Sequence, residues 1–280
     1  MADINLLTQF LQVYAFQPAT AFWRAVEIEV LRHYLPETGQ GLDLGCGDGK
    51  LTAILFGEKL SHFQLVGIDS DPGEVEEAGR TGIYQRLHVC DAAQIPEQSR
   101  SFDFIISNSV LEHIEAIEPV IQETARLLKP GGKFVFTVPG PNFHACLRGP
   151  FGLGTPRAAY LEQLDQRLAH VRYWSQEEWH TCLSKYGFQI TGHEEYLSYY
   201  EVRRWEDISR MTAGILYSLT RRTQTPMQIQ KRWGLRRTQH RIRLPPWVAR
   251  ILAGLLCLGL KHPQTELFGC LLIQAERTQE

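Results

Sequence analysis

The chain has 280 residues, with 29 Lys+Arg against 31 Asp+Glu, a formal net charge of −2, 44% hydrophobic and 21% charged residues. It is long enough to bury a sizeable core, and its balance excludes a disordered, collagen-like or multi-span membrane protein. The near-neutral total hides an asymmetry: between Arg203 and Arg250, twelve arginines and lysines face only Glu206 and Asp207. Six cysteines (Cys46, Cys90, Cys146, Cys182, Cys257, Cys270) are scattered without a CxxC pair. Neither a zinc site nor a disulfide framework is expected, and no metal is assigned. The start Met-Ala-Asp-Ile-Asn lacks the basic and apolar regions of a secretory signal, so a cytoplasmic setting is the expectation.

In chain order, residues 1–38 show apolar positions at helical spacing (Leu6, Leu7, Phe10, Leu11, then Phe22, Ala25, Val26, Ile28), divided by Pro18, and predict a helical cap. From Gly41 the period changes. Short apolar runs at Leu42–Leu44, Phe63–Ile68, Gln85–Val89, Phe102–Ser107 and Phe134–Val138 alternate with helices after Asp48, after Asp71 and across Glu115–Leu128. Such alternation within 39–139 predicts parallel crossover units and a doubly wound α/β sheet. Pro130-Gly131-Gly132 stops the long helix and turns the chain into the next strand. Residues 140–174, rich in Gly and Pro, read as a loop-rich insertion. Ser175 with Glu178 predicts a capping box opening a helix to Lys185, followed by a strand at Phe188–Thr191. Residues 195–265 read as a basic, mostly helical insertion, and Phe268–Gln274 as the last strand.

The sharpest local feature is Gly41-Leu42-Asp43-Leu44-Gly45-Cys46-Gly47-Asp48-Gly49, a strand running into a glycine loop. Glycines there allow positive φ and close backbone approach to a ligand. Asp69 ends the second strand, where a carboxylate could accept bonds from a ribose diol, and Asp91 follows the third, where an adenine amino group could be met. All would lie at the carboxyl ends of parallel strands, where open α/β sheets bind ligands. The alternative is that these acids only cap turns. Charge separates two cofactor classes: pyrophosphate favours a helix N-terminus clear of carboxylates, whereas Asp43 and Asp48 flank this loop and would attract a sulfonium or ammonium. The spacing is also GxGxG and not GxGxxG.

Leu42–Gly49 resembles the first motif of class I S-adenosylmethionine-dependent methyltransferases of the small-molecule, type 11-like subgroup, and Val66–Pro72 resembles their second. Cys90-Asp91-Ala92 is similar to their adenine-contacting turn, Phe102–His113 to the fourth-strand motif, Leu127–Gly132 to the turn before strand five, and His170–Ser175 with Tyr186–Phe188 to the approach to strand six. The resemblance implies one methyltransferase domain over 1–280 with a Rossmann-like seven-stranded sheet, order 3-2-1-4-5-7-6, strand seven antiparallel. It implies S-adenosyl-L-methionine as cofactor and direct displacement of its methyl group onto a small-molecule acceptor. Asp43 with Leu44, Gly45, Cys46, Gly47 and Gly49 is expected to hold the methionine end, Asp69 and Ser70 the ribose, and Asp91 and Ala92 the adenine. Asn108 is expected near the methyl donor. A hydroxyl or amine acceptor must lose a proton; His113, just after strand four, is the candidate base, with a histidine merely packed on the next helix as the alternative. His144 and His170 are weaker candidates, and Arg172 or Tyr173 could order their loop. A non-catalytic interaction protein on this fold and an NAD-dependent oxidoreductase are the competing functions.

More residues separate strands six and seven than the family needs, so the acceptor cannot be carried over. The apolar run after Arg250 is too short for a membrane span. Pro245–Leu260 therefore reads as a buried helix, or as a helix on an anionic membrane surface with Trp247 at the interface, suiting a lipid-like acceptor. It could also be a basic cover over an anionic acceptor. Peripheral membrane contact is thus expected to involve 203–260. Nucleic acid is disfavoured, because no binding motif accompanies the arginines.

Overall fold

The structure is a computed structural model, and it describes residues 3–150, 154–214, 243–260 and 267–278. The chain packs into two compact units, each built from discontinuous segments. One, here the helical unit, comprises Met1–Glu29, Asn142–His170 and Tyr196–Gly269; the other, the sheet unit, comprises Val30–Pro141, Val171–Glu195 and Cys270–Glu280. The cap and the two insertions, separate features in the sequence, thus contribute to one body.

The sheet has seven strands: β1 (Gly39–Leu44), β2 (Phe63–Asp69), β3 (Tyr84–Val89), β4 (Phe102–Asn108), β5 (Leu128–Pro139), β6 (Phe188–Ser198) and β7 (Phe268–Arg277). Their order is 3-2-1-4-5-7-6, with β1 to β5 parallel and β7 antiparallel to β5. The central strands are apolar on both faces because helices cover both, as parallel sheets require. Phe102, Ile105, Phe134, Phe136 and Trp179 are among the buried residues of one continuous core. Gly41 is glycine for a packing reason: a Cβ there would sit 2.2 Å from Cζ of Phe104 on the neighbouring strand.

The crossover helices are α3 (Lys50–Phe56), α4 (Pro72–Gly79) and α5 (Ile117–Leu127). Asp71 caps α4 by accepting from the Gly73 amide at 2.8 Å, with Pro72 in the first turn, where its missing N–H costs nothing. Pro130-Gly131-Gly132 leaves the β4–β5 ladder between the pairs Phe102↔Leu128 and Phe104↔Lys133, with Gly131 at φ 77°, so the expected turn sits inside an irregular strand. The capping box at Ser175 and Glu178 forms and opens α8 (Gln176–Ser184).

The helical unit holds α1 (Ile4–Val13), most of α2 (Pro18–Leu31), α6 (Phe143–Cys146), α7 (Arg157–Leu168), α9 (Tyr199–Ser209) and α10 (Pro246–Cys257). Two expectations are corrected here. Residues 140–174 are not loop throughout: beyond Pro156 the run Arg-Ala-Ala-Tyr-Leu-Glu-Gln-Leu-Asp-Gln-Arg-Leu is made of good helix formers and forms α7. Strand six runs to Ser198, well past Thr191, because alternation continues through Glu195, and the insertion therefore begins at Tyr199 and not at 195. Trp23, Phe143 and Trp205 form this unit's aromatic centre, with ring centroids 5.2–5.9 Å apart. Most of the basic stretch, Arg221 to Arg241, and residues 261–265 of the insertion lie outside the described residues.

Candidate functional site

All expected site residues except His144 and His170 belong to the sheet unit, and they gather at the carboxyl ends of β1, β2, β3 and β4. Gly45, Gly47 and Gly49 have φ of 79°, 52° and 72°. The amides of Gly45 and Cys46 both donate to the Ile68 carbonyl, at 2.9 and 2.8 Å, which turns the loop toward the end of β2. There the Gly47 amide donates to Asp69 Oδ2 at 3.0 Å, and the Asp71 amide to Oδ1 at 2.9 Å.

Asp43, next to last in β1, is buried, and its Oδ2 accepts from Thr52 Oγ1 and the Tyr84 hydroxyl, both at 2.5 Å. Burial pushes its carboxyl up to about 6, and nearby Asp69 adds to the rise against the two hydrogen bonds. Burial, with Asp43 beside it, also holds the Tyr84 phenol well above its ordinary value. Burial with Asp43 and Asp69 raises the Cys46 thiol so far that it stays protonated, and so it is no nucleophile. Asp48 is tied to Lys50 at 2.9 Å.

The other positions divide by exposure. Leu44 points into the core, so only its backbone can face a ligand, and its carbonyl accepts from Ser107 Oγ at 3.1 Å. Ser70 and Asp91 are exposed; Asp91 Oδ1 accepts from the Ala93 amide at 2.8 Å, shaping the turn that also carries Ala92. Asn108 is buried, and its Oδ1 accepts from Thr137 Oγ1 at 2.9 Å. The next residue, Ser109, has φ 52° and donates to Thr137, so β4 is released from the sheet at a fixed angle.

His113 ends a 3-10 turn, Leu111–His113, with a side chain 39% exposed and Nε2 3.9 Å from Glu112 Oε1. Arg172 holds this turn: Nη1 donates to the carbonyls of Leu111 and Ile114, each at 2.6 Å, and Nη2 to Glu115 at 2.9 Å. Arg172, expected to order the 140–174 loop, thus makes these contacts with the turn that carries His113. His144, in the helical unit, pairs with Asp165 at 2.9 Å, and His170 lies against the Phe143 ring.

Thr52, Tyr84, Thr137 and the clamp by Arg172 complete the site's support. Of these, Tyr84 and Thr137 had no signal in the sequence, since each acts across the sheet on a residue distant in the chain, while Thr52 reaches Asp43 from α3, nine residues on. The arrangement suits an adenosyl sulfonium on two grounds. A Cβ at Gly45 would lie 2.4 Å from Val110 and one at Gly49 3.0 Å from Tyr84, but one at Gly47 would meet nothing within 4 Å; the loop is packed at its ends and open at its middle. Asp43, Asp48 and Asp69 also gather negative charge around it, complementary to a cation and adverse to a pyrophosphate.

Comparison with known proteins agrees with this geometry. A methyltransferase-domain family model matches residues 21–193. The uncharacterized methyltransferase YodH of Bacillus subtilis is 29% identical over 193 residues, covering 67% of this chain and 75% of YodH. The ubiquinone/menaquinone biosynthesis C-methyltransferase UbiE of Desulfotalea psychrophila is 31% identical over 102 residues, 36% of this chain and 41% of that enzyme. The chain spans about half the length, or less, of several relatives it matches. The crystal structure of a putative sarcosine dimethylglycine methyltransferase from Galdieria sulphuraria shares the fold, with TM-score 0.53 at 18% identity over 92% of this chain and 84% of that one.

Proposed function

We propose that this chain, which belongs to the class I S-adenosylmethionine-dependent methyltransferases, transfers a methyl group to a small, lipid-like acceptor. Membership follows from the family match over residues 21–193 and the sheet order, and S-adenosylmethionine is the cofactor. When bound, it supplies a methyl group on a positively charged sulfur, ready for direct displacement. The protein's own share is then binding and orientation, an effect worth roughly 7–11 kcal/mol when two reactants are well aligned.

In our reading Asp43 and the Gly45–Gly49 backbone, including Cys46, hold the methionine end. Asp69 takes the ribose hydroxyls, with Ser70 beside it. Each Asp69 oxygen already accepts one amide, which orients the carboxylate and leaves further lone pairs for hydroxyl donors. The turn of Asp91 and Ala92 meets the adenine. Asn108, with Oδ1 engaged by Thr137, is held near the reacting group at the end of β4. For a hydroxyl or amine acceptor, His113 is the candidate to take the proton; its half-exposed ring on an Arg172-clamped turn just after β4 supports that role. A lipid-like acceptor is favoured by the quinone-pathway name of the UbiE relative and by exposed apolar side chains on α10.

The observation that carries this reading is the open Gly47 backbone bonded to Asp69. Asp69→Ala is expected to weaken S-adenosylmethionine binding in calorimetry roughly 10- to 100-fold, the value of hydrogen bonds to a charged group. Unchanged affinity overturns the assignment. Transfer of labelled methyl from the cofactor into the organic extract of a cell lysate, and not into the aqueous phase, is the result expected for the acceptor.

A further inference from the structure

Helix α10 shows two faces. Ala249 and Ala253, one turn apart, are fully buried where α10 packs with α1, whose Leu7, Phe10 and Leu11 are buried as well. The opposite stripe leaves Trp247 68%, Ile251 56% and Leu255 56% exposed, and Leu258 just past the helix 70% exposed. One exposed leucine is ordinary, but four large apolar side chains in helical register are not. The helix is about 18 Å long, too short to cross a bilayer but long enough to lie on one. No helix among the described residues is long and apolar enough to cross a membrane.

The surroundings of the stripe are basic. Arg243 and Arg250 are exposed at its start. At its far end, Gly259 and Leu260 border a cleft of about 190 Å³ whose other walls are Arg148, Tyr200, Arg203 and Arg204. Arg204 donates to the Leu258 carbonyl at 2.8 Å, and Arg148 pairs with Asp207 at 2.9 Å. Arg203 lies 4.0 Å over the Tyr199 ring, with its Nε buried and without a hydrogen-bond partner among the described residues. Three guanidinium groups against one carboxylate leave the cleft short of negative charge, and guanidinium forks suit phosphate oxygens.

We infer that the helical unit docks peripherally on an anionic phospholipid surface, with the Trp247–Ile251–Leu255–Leu258 stripe in the interface and the arginine cleft taking a lipid phosphate. Apolar side chains, a tryptophan at one end and arginines at both ends are what the boundary between headgroups and acyl chains rewards. The same arginines argue against a second copy as the occupant, since pairing two such faces would bring like charges together. The inference is read from this unit's own surface and holds whatever acceptor the sheet unit serves.

Flotation of the full chain with vesicles is the test. Binding is expected to phosphatidylglycerol-containing vesicles and not to pure phosphatidylcholine, and to weaken with salt. The paired variant Ile251→Ser/Leu255→Ser and the paired variant Arg203→Gln/Arg204→Gln are each expected to lower it roughly tenfold or more. The serine pair alters exposed positions only, so its circular dichroism and melting curve should match those of the unaltered chain. Absence of flotation at low salt, or equal flotation with both vesicles, overturns the inference. Full retention by the serine pair reduces it to charge adsorption and overturns the inserted stripe. Dimerisation abolished by the serine pair assigns the stripe to a second copy instead, and calorimetric binding of inorganic phosphate without flotation assigns the cleft to a soluble ligand.

Discussion

The two units are stabilised by different physics. The sheet unit has an aliphatic and aromatic core through its central strands, and its strands β1 to β5 come from one continuous stretch of the chain, Val30–Pro141. The helical unit brings distant segments together through directional contacts. Trp23, Phe143 and Trp205 meet edge-on or tilted, and the fully buried Glu206 accepts from the Arg148 amide at 2.6 Å, from Arg210 Nη2 at 2.6 Å and from the Tyr160 hydroxyl. Buried Glu27 likewise accepts from Arg24 and Tyr196. A buried carboxylate must find all its donors or cost several kcal/mol, so this unit is specified by a few exact partners where the sheet unit is specified by a pattern. A fold of the first kind tolerates exchange of one apolar residue for another; a fold of the second does not.

The largest expected effect tests that difference in the helical unit. Trp205→Ala removes the ring shared by Trp23 and Phe143 and is expected to lower stability by about 3–5 kcal/mol, the usual range for deleting a buried large aromatic. Denaturant unfolding followed by tryptophan fluorescence should shift accordingly, while S-adenosylmethionine affinity in the absence of denaturant stays within about twofold, too small a change to register as a lost hydrogen bond. A parallel loss of cofactor binding would mean that the two units do not behave as separately specified.

In the sheet unit the corresponding test is steric. Gly41→Ala places a methyl group 2.2 Å from the buried Phe104 ring, and overpacking of this kind is expected to cost about 1–3 kcal/mol in urea melts. Gly47→Ala has open space around it and carries only the conformational cost of φ 52°, about 1 kcal/mol. If the two variants were equally unstable, packing across β1 and β4 would not be the reason for glycine at 41.

The same contrast explains what was legible in the sequence. Strand and helix order, the glycine loop and the acids that end β1 and β2 could be read because periodicity, turn chemistry and position along a strand are local properties. The two residues that fix Asp43 could not. Tyr84 reaches it from β3 across the width of β2, and nothing in the run Tyr-Gln-Arg-Leu-His-Val marks a tyrosine aimed two strands away. Arg172 was visible only as an arginine in a loop, although its three carbonyl contacts set the turn that carries His113. Helix α7 was hidden by the Gly and Pro residues before it. The two faces of α10 were beyond reach, because which face is buried depends on α1, more than two hundred residues earlier in the chain.

Asp43 offers the finest test, because in it the site depends on the core around it. Its carboxyl titrates at about 6, raised by burial and by Asp69, so it is mostly ionised at neutral pH and mostly protonated at pH 5. A cationic ligand prefers the ionised form, so S-adenosylmethionine affinity should fall as pH drops through 6, by at most about tenfold between pH 7 and pH 5 for a single such group. The sign is distinctive: a carboxylate at its ordinary value would leave affinity flat over that interval. Asp43→Asn should bind more weakly at neutral pH and lose the pH dependence, and calorimetry across the interval separates the two outcomes. A slope that persists in Asp43→Asn would move the titrating group elsewhere, and a flat profile in the unaltered chain would mean that the hydrogen bonds from Thr52 and Tyr84 outweigh the desolvation that the sheet unit imposes on this carboxylate.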